Sequence, residues 1–229
     1  MEIVPGIHQV DGVNGNSYIL VRDGLTVIDT GIPGSGKKIL AYIRETLHRN
    51  PREIRTIIIT HFHMDHIGGV SAIKKEAPDV KVAVGDADAG YVTGALALPV
   101  HPGFRGLLLR IVGLVMKPGA FKPDLLLKDR DRIDGLTCIA IPGHTPGSIG
   151  LLDEATGTFF AGDILRYDGT TLAEGPAPFT MDLSRSRQSI RAIGGLDFDL
   201  LLTGHGVPLR PGASAAVRAF AGTLPPADG

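Results

Sequence analysis

The sequence predicts an α/β chain built as a sandwich of two sheets with helices on the outside, and three observations predict it. Apolar runs of strand length fall into two groups, one in the first third of the chain and one in the last half. Each group is interleaved with segments of helical spacing, the pattern of sheets whose outer faces need helices to cover them. No internal repeat or low-complexity linker divides the 229 residues, so a single domain spanning 1–229 is expected.

In chain order, residues 7–30 read as consecutive strands, with 16–21 and 25–28 flanking the hairpin turn Arg22-Asp23-Gly24. Gly34-Ser35-Gly36 is a breaker in which Ser35 is the candidate helix cap. Residues 37–47 then carry Ile39, Leu40, Ile43 and Leu47 at helical spacing. Residues 54–60 are a strand of the buried type, 69–76 a helix that stops before Pro78, and 80–84 another strand. In the second group, 136–141, 149–152 and 158–161 are strands. A helix over 184–193 has Ser184 as its candidate cap, a short strand covers 200–202, and the last helix covers 213–220. The tail 223–229 reads as frayed.

Residues 86–128 interrupt this rhythm as a long insertion containing Pro99, Pro102, Pro118 and Pro123. Its centre, 106–116, is strongly apolar, but it is shorter than the ~20 residues of a membrane span and Arg110 interrupts it. The favoured reading is a helix packed on its own domain or on a second subunit, which makes residues 100–120 a candidate homodimer element. A lid over an apolar substrate pocket comes second, and contact with a membrane surface third.

Composition excludes several classes. The chain is 43% hydrophobic and 21% charged with a net charge of -1, so no basic field exists to hold nucleic acid. The single cysteine, Cys138, rules out an internal disulfide and sits in an apolar run, where it reads as a small buried hydrophobe. The start, Met1 to Gly6, lacks a basic region followed by an apolar stretch, so the expected compartment is the cytoplasm.

Chemistry concentrates in Thr60-His61-Phe62-His63-Met64-Asp65-His66, which follows the apolar Ile57-Ile58-Ile59 and precedes Gly68-Gly69. Imidazoles and carboxylates suit zinc and other borderline divalent metals, and histidines do not crowd into a core without partners. On extended chain, His61 and His63 point the same way and can reach one metal, and a turn at Met64 is needed to aim Asp65 and His66 at a second position. Three later strands end in the same fashion, at Gly143-His144, Gly162-Asp163 and Gly204-His205. Glycine beside each candidate ligand lets the backbone turn sharply and approach closely.

Together with Val27-Ile28-Asp29-Thr30-Gly31, these stretches resemble the metallo-β-lactamase superfamily, in the right order and over nearly the whole chain. The resemblance implies an αββα four-layer sandwich of two mixed sheets with outer helices. It also implies that His61, His63 and His144 hold one metal, that Asp65, His66 and His205 hold a second, and that Asp163 bridges both. Asp29 looks like the family's supporting aspartate, which orients a ligand histidine. The true β-lactamases lack the bridging aspartate, so antibiotic hydrolysis is not the expected role. Glyoxalase II-like thioesterases and acyl-homoserine lactonases carry the full set. The former add a C-terminal helical region, whereas 24 residues follow His205 here, which weighs against a glutathione thioester. The lactonases carry a tyrosine behind the bridging aspartate; Tyr167, four residues after Asp163, is the candidate for that substrate contact, although the local sequence does not match theirs and an ordinary half-buried tyrosine is the favoured reading.

The expected reaction is hydrolysis of an ester, thioester or lactone in a small molecule bearing an acyl or apolar group. A hydroxide bridging two divalent ions, zinc first with iron or manganese as substitutes, is the nucleophile. Asp65 would carry the proton to the leaving atom. A mononuclear iron oxidoreductase similar to persulfide dioxygenases, a metal-dependent phosphodiesterase and an inactive binding module are the competing classes.

Overall fold

The computed structural model describes residues 1–97 and 119–226. Seven strands form the first sheet in chain order: β1 (Glu2–Val4), β2 (Ile7–Gln9), β3 (Tyr18–Val21), β4 (Leu25–Ile28), β5 (Ile54–Ile59), β6 (Lys81–Gly85) and β7 (Leu125–Leu127). The first four pair antiparallel, and β4 through β7 run parallel. The second sheet has the order β14-β11-β10-β9-β8, made of β8 (Arg132–Ile133), β9 (Leu136–Ala140), β10 (Ile149–Asp153), β11 (Thr158–Gly162) and β14 (Leu200–Thr203). Its β11–β14 pair is parallel and the others antiparallel, so both sheets are mixed. A separate hairpin joins β12 (Leu165–Tyr167) to β13 (Leu172–Glu174). The helices among the described residues are α1 (Ser35–Glu45), α2 (Met64–Ile67), α3 (Val70–Glu76), α4 (Ala89–Val92), α5 (Leu183–Ile193) and α6 (Ala213–Thr223).

Three buried clusters set the layers. Alternate side chains of a strand face opposite ways. Ile57 and Ile59 accordingly pack on Ile39 and Ile43 of α1 and Ile73 of α3, while Ile58 between them faces the other sheet, with Leu136, Cys138, Leu151 and Phe160. Phe159 and Leu201, on the far face of the second sheet, meet Ile190 and Ile193 of α5 and Val217 of α6. The result is helix, sheet, sheet, helix, the four-layer sandwich. Each large apolar side chain so buried stabilises the fold by about 1.5–3 kcal/mol. Cys138 is fully buried between the sheets, and burial pushes its thiol up to about 12, so it stays protonated and inert.

Both expected serine caps lie elsewhere. Gly34, at φ 97, is the N-cap of α1, and Ser35 is the first helical residue, its side chain packed beneath Gly31. Asp182 caps α5, its carboxylate accepting from the Arg185 N–H at 2.8 Å, which leaves Ser184 inside the first turn. Strands β1, β7, β8, β12 and β13 are two or three residues long, too short for a periodic signal. The last helix runs to Thr223, three residues beyond the expected end. The stretch expected as an insertion begins with a 3-10 turn (Asp86–Asp88) and α4, and it yields β7 near its end. Its apolar centre, 106–116, and most of the candidate dimer element at 100–120 lie outside the described residues. No helix among the described residues is long and apolar enough to cross a membrane.

Candidate metal centre

Every predicted ligand follows the C-terminal end of a strand. β5 leads into His61 and His63, the β9–β10 loop carries His144, β11 ends at Gly162 before Asp163, and β14 leads through Gly204 to His205. His63 has extended backbone, φ -63 and ψ 149, and serves as the N-cap of α2. The chain thus turns at Met64, as the spacing required, and carries Asp65 toward His205, while the His66 ring stays beside His61 with centroids 4.0 Å apart.

The seven side chains meet in three overlapping groups: His61, His63 and His144; His61, His66 and Asp163; Asp65, His66 and His205. In the first, His63 Nδ1 lies 3.1 Å from His61 Nε2 and 3.0 Å from His144 Nε2. Nitrogens bound tetrahedrally to one zinc are about 3.3 Å apart. Tautomers explain why a cation fits here. Thr60 Oγ1 donates to Asp29 Oδ2 at 2.7 Å, so it accepts from His61 Nδ1 at 3.1 Å. Thr180 Oγ1 donates to the Pro176 carbonyl at 3.2 Å and accepts from His144 Nδ1, also at 3.2 Å. Both histidines therefore turn an Nε2 lone pair inward. One proton on His63 Nδ1 can satisfy one of its two contacts, and the other sets lone pair against lone pair. A cation satisfies all three. Burial, together with the neighbouring His144 and His66, holds His63 down to about 3, and burial pushes His144 down to about 4, so this group is neutral and ready to coordinate at pH 7.

The other two groups mix charges. His205 Nε2 lies 3.0 Å from Asp65 Oδ2 and 3.4 Å from Asp163 Oδ2, and His66 Nε2 lies 3.3 Å from Asp163 Oδ1. Hydrogen bonds to Asp163 and Asp65 raise His205 to about 9. Burial would raise Asp65, but the His205 hydrogen bond and the His66 charge win and hold it at about 2. Burial opposes a charge on His66, yet Asp163 and Asp29 keep it well above the usual histidine range. His66 Nε2 and Asp163 Oδ1 are both buried without a hydrogen-bond partner. Such orphaned atoms, facing each other, form a pair that fits a divalent cation. Asp163 is the carboxylate shared between the groups, since its Oδ2 is also 3.8 Å from His144 Nε2.

The supports come from afar. Asp29 is 2% exposed, and it accepts from the Thr60 N–H at 2.8 Å, from Thr60 Oγ1 at 2.7 Å and from His66 Nδ1 at 2.8 Å. It thereby fixes the ring and tautomer of His66. Its φ of 56 is left-handed, a region that asparagine tolerates. Asp29→Asn is therefore a clean test: with its oxygen kept on the Thr60 N–H, the amide turns its NH2 toward Thr60 Oγ1 and His66 Nδ1, which must then accept, and the His66 proton moves to the inward Nε2. Urea unfolding of the metal-free protein should show a loss of about 1–3 kcal/mol. Chelator competition should show metal binding weakened on the order of 10–100-fold.

Asn16 straps the His205 loop, donating to the Thr203 carbonyl at 2.9 Å and the Gly206 carbonyl at 3.0 Å, and Tyr18 adds its hydroxyl to the Thr203 carbonyl at 2.7 Å. Gly204 must be glycine, because a Cβ there would fall 2.0 Å from Asp163 Oδ1. Sequence reasoning missed Asn16, Tyr18 and Thr180; only Asn16, opening an apolar strand with a polar amide, left a trace. The Tyr167 hydroxyl donates at 2.8 Å to the Gly169 carbonyl of its own hairpin turn. The small cleft beside Asp163 and His205 is instead lined by Leu165, Arg166 and Pro176. A much larger open cleft, about 680 Å³, is lined by Arg44, His48, Arg49, Arg52 and Lys75 and shares no residue with the cluster.

The family model of the metallo-beta-lactamase superfamily matches residues 10–205. A Bacillus subtilis (strain 168) protein named "Probable metallo-hydrolase YflN" is 28% identical over 236 residues, covering 91% of this chain and 86% of its own. A hydroxyacylglutathione hydrolase of Vibrio cholerae is 32% identical over 133 residues, which span 58% of this chain and 40% of that protein. Among solved structures, a metallo-beta-lactamase family protein from Thermus thermophilus superposes with a TM-score of 0.72 at 20% identity, covering 96% of this chain and 78% of its own.

Proposed function

Since the chain belongs to the metallo-beta-lactamase superfamily, we propose that it is a dinuclear metal-dependent hydrolase that opens an ester, thioester or lactone bond. One observation carries the reading: seven side chains converge while the outer nitrogens of His61, His66 and His144 are already engaged, so their inward nitrogens are left free to hold a cation. His61, His63 and His144 would hold the first ion, Asp65, His66 and His205 the second, and Asp163 both. Two divalent ions, zinc being the best match for this donor set, would supply a hydroxide nucleophile at neutral pH and polarise the electrophile.

The chain's own residues do the rest. Asp29 and Thr60 keep His61 and His66 in the tautomers that leave Nε2 free. Asp65 is half-exposed at the mouth, 30% by its side chain, and ionised, so it can take a proton from the nucleophile and deliver it to the leaving atom. Exposed apolar Met181 and Val207 stand beside the two loops that carry His144 and His205, which supports a substrate with an apolar or acyl group. The kinship with hydroxyacylglutathione hydrolases supports a carbonyl rather than a phosphodiester as the group attacked.

The test is a panel of esters, thioesters, lactones and phosphodiesters assayed on protein of measured metal content. Two zinc ions with carbonyl turnover are expected. A single iron with oxygen uptake, or phosphodiester turnover alone, would sink the reading. Asp65→Asn should lower kcat by on the order of 10²–10⁴-fold. Near-native turnover in that variant with both ions bound would remove Asp65 from the proton path.

A further inference from the structure

Asp88 ends the 3-10 turn after β6, is 1% exposed, and belongs to none of the ligand groups. Its carboxylate accepts three hydrogen bonds. Oδ2 takes the Phe62 N–H at 3.0 Å and Thr145 Oγ1 at 2.7 Å, and Oδ1 takes the Gly147 N–H at 2.7 Å. Phe62 stands between His61 and His63, and Thr145 follows His144. One carboxylate therefore joins the two loops that carry the first ligand group, although those loops are far apart in sequence.

The junction is built for close approach. A Cβ on Gly147 would fall 2.3 Å from Asp88 N, and one on Gly85 would fall 2.0 Å from the Gly147 carbonyl oxygen. Gly147 thus answers to Asp88, not to a metal. Thr145 is itself held, its N–H on Ser148 Oγ at 2.9 Å and its Oγ1 2.8 Å from the same hydroxyl. Because Thr145 Oγ1 gives its proton to Asp88, the Ser148 hydroxyl is the donor in that contact. Every donor in the junction is used, and a carboxylate is the side chain that accepts on both of its oxygens.

We infer that Asp88 is a positioning residue for the first metal: by tying the Phe62 backbone to Thr145 and Gly147 it sets the distance of His61 and His63 from His144. The inference rests on the two-metal reading above. Ligand sites need placement within about 0.5 Å, and the His63–His144 contact spans two chain segments joined laterally by this carboxylate. An amide at position 88 must turn a donor toward Phe62 and Thr145 or toward Gly147, so Asp88→Asn opens the junction on one side.

The experiment loads wild type, Asp88→Asn and Thr145→Val with zinc and with cobalt, and reads the affinity of each ion by chelator competition along with the cobalt absorption spectrum. The Asp88→Asn variant should lose affinity for the first ion on the order of 10–100-fold and shift the cobalt bands of that site, with the second ion bound as in wild type. Thr145→Val, which removes one of the three bonds, should give a smaller loss at the same site. A merely structural aspartate would lower the unfolding midpoint but leave the cobalt spectrum of folded protein unchanged, and that result overturns the inference. Should Asp88→Asn not fold, Thr145→Val decides: unaltered first-ion affinity overturns the inference, a several-fold loss supports it. A wild type that binds fewer than two ions overturns the two-metal reading instead.

Discussion

On the proposed two-metal reading, asparagine in place of Asp163 is expected to reduce two bound ions to one and to cut kcat/KM by about a thousandfold, about 4 kcal/mol of transition-state stabilisation. Asp163 is the only carboxylate among the described residues that reaches both ligand groups. Its Oδ1 faces His66 Nε2 at 3.3 Å, and its Oδ2 faces His205 Nε2 at 3.4 Å and His144 Nε2 at 3.8 Å. An amide keeps one acceptor but turns an NH2 toward the other group, and it removes a full negative charge from a side chain that is only 9% exposed. Metal stoichiometry, kcat/KM on the best substrate of the panel and circular dichroism together check it. Two ions and near-native turnover in the Asp163→Asn variant would show that the carboxylate does not bridge.

The second large effect is an ordered loss of metal on acidification. A metal displaces whatever protons its ligands carry, so affinity falls with pH only below the pKa of a protonated ligand. His205 stands at about 9, held up by its hydrogen bonds to Asp163 and Asp65. Below pH 9 the second ion must displace that proton and the one on His66, which Asp163 and Asp29 also hold well above the usual histidine range, and its affinity falls by about tenfold per pH unit for each proton displaced. Asp65, at about 2, is ionised throughout and adds no slope. His63 and His144, at about 3 and 4, are already neutral above pH 5, so the first ion has nothing to displace from them. From pH 8 to pH 6 the second ion should therefore weaken by about a hundredfold or more while the first holds. Calorimetric titration in buffers of different ionisation enthalpy should count protons released with the second ion and few with the first. Simultaneous, parallel loss of both ions would contradict the assignment.

Much of the site was legible because its ligands punctuate strands. Four of the seven lie in one run behind Ile57-Ile58-Ile59, and each of the others follows an apolar strand with a glycine at its side. A strand that must be apolar on both faces announces itself, and a polar cluster at its end stands out against it. Asp29 was legible through its turn glycine, and its partner proved to be His66. The unread part consists of acceptors whose donors arrive from other segments. Asp88, Asn16 and Thr180 look like ordinary turn or strand-edge residues, and their roles exist only once Thr145, Thr203 or His144 is beside them. Tyr167 shows the converse: its sequence distance from Asp163 suggested a substrate contact, but the hairpin directs its hydroxyl onto Gly169.

Sequence alone determined the layer order and picked out the candidate donors, because both follow from local rules: periodicity sorts strand from helix, and imidazole and carboxylate types suit a divalent metal. Tertiary structure decided how the donors are shared and aimed. Which nitrogen of each histidine faces inward depends on a hydroxyl or carboxylate from a distant strand, and the spacing of the first group depends on a carboxylate after β6. Those contacts form only once separate chain segments have packed together, since a hydrogen bond orients a ring only after packing has brought its partner within about 3 Å.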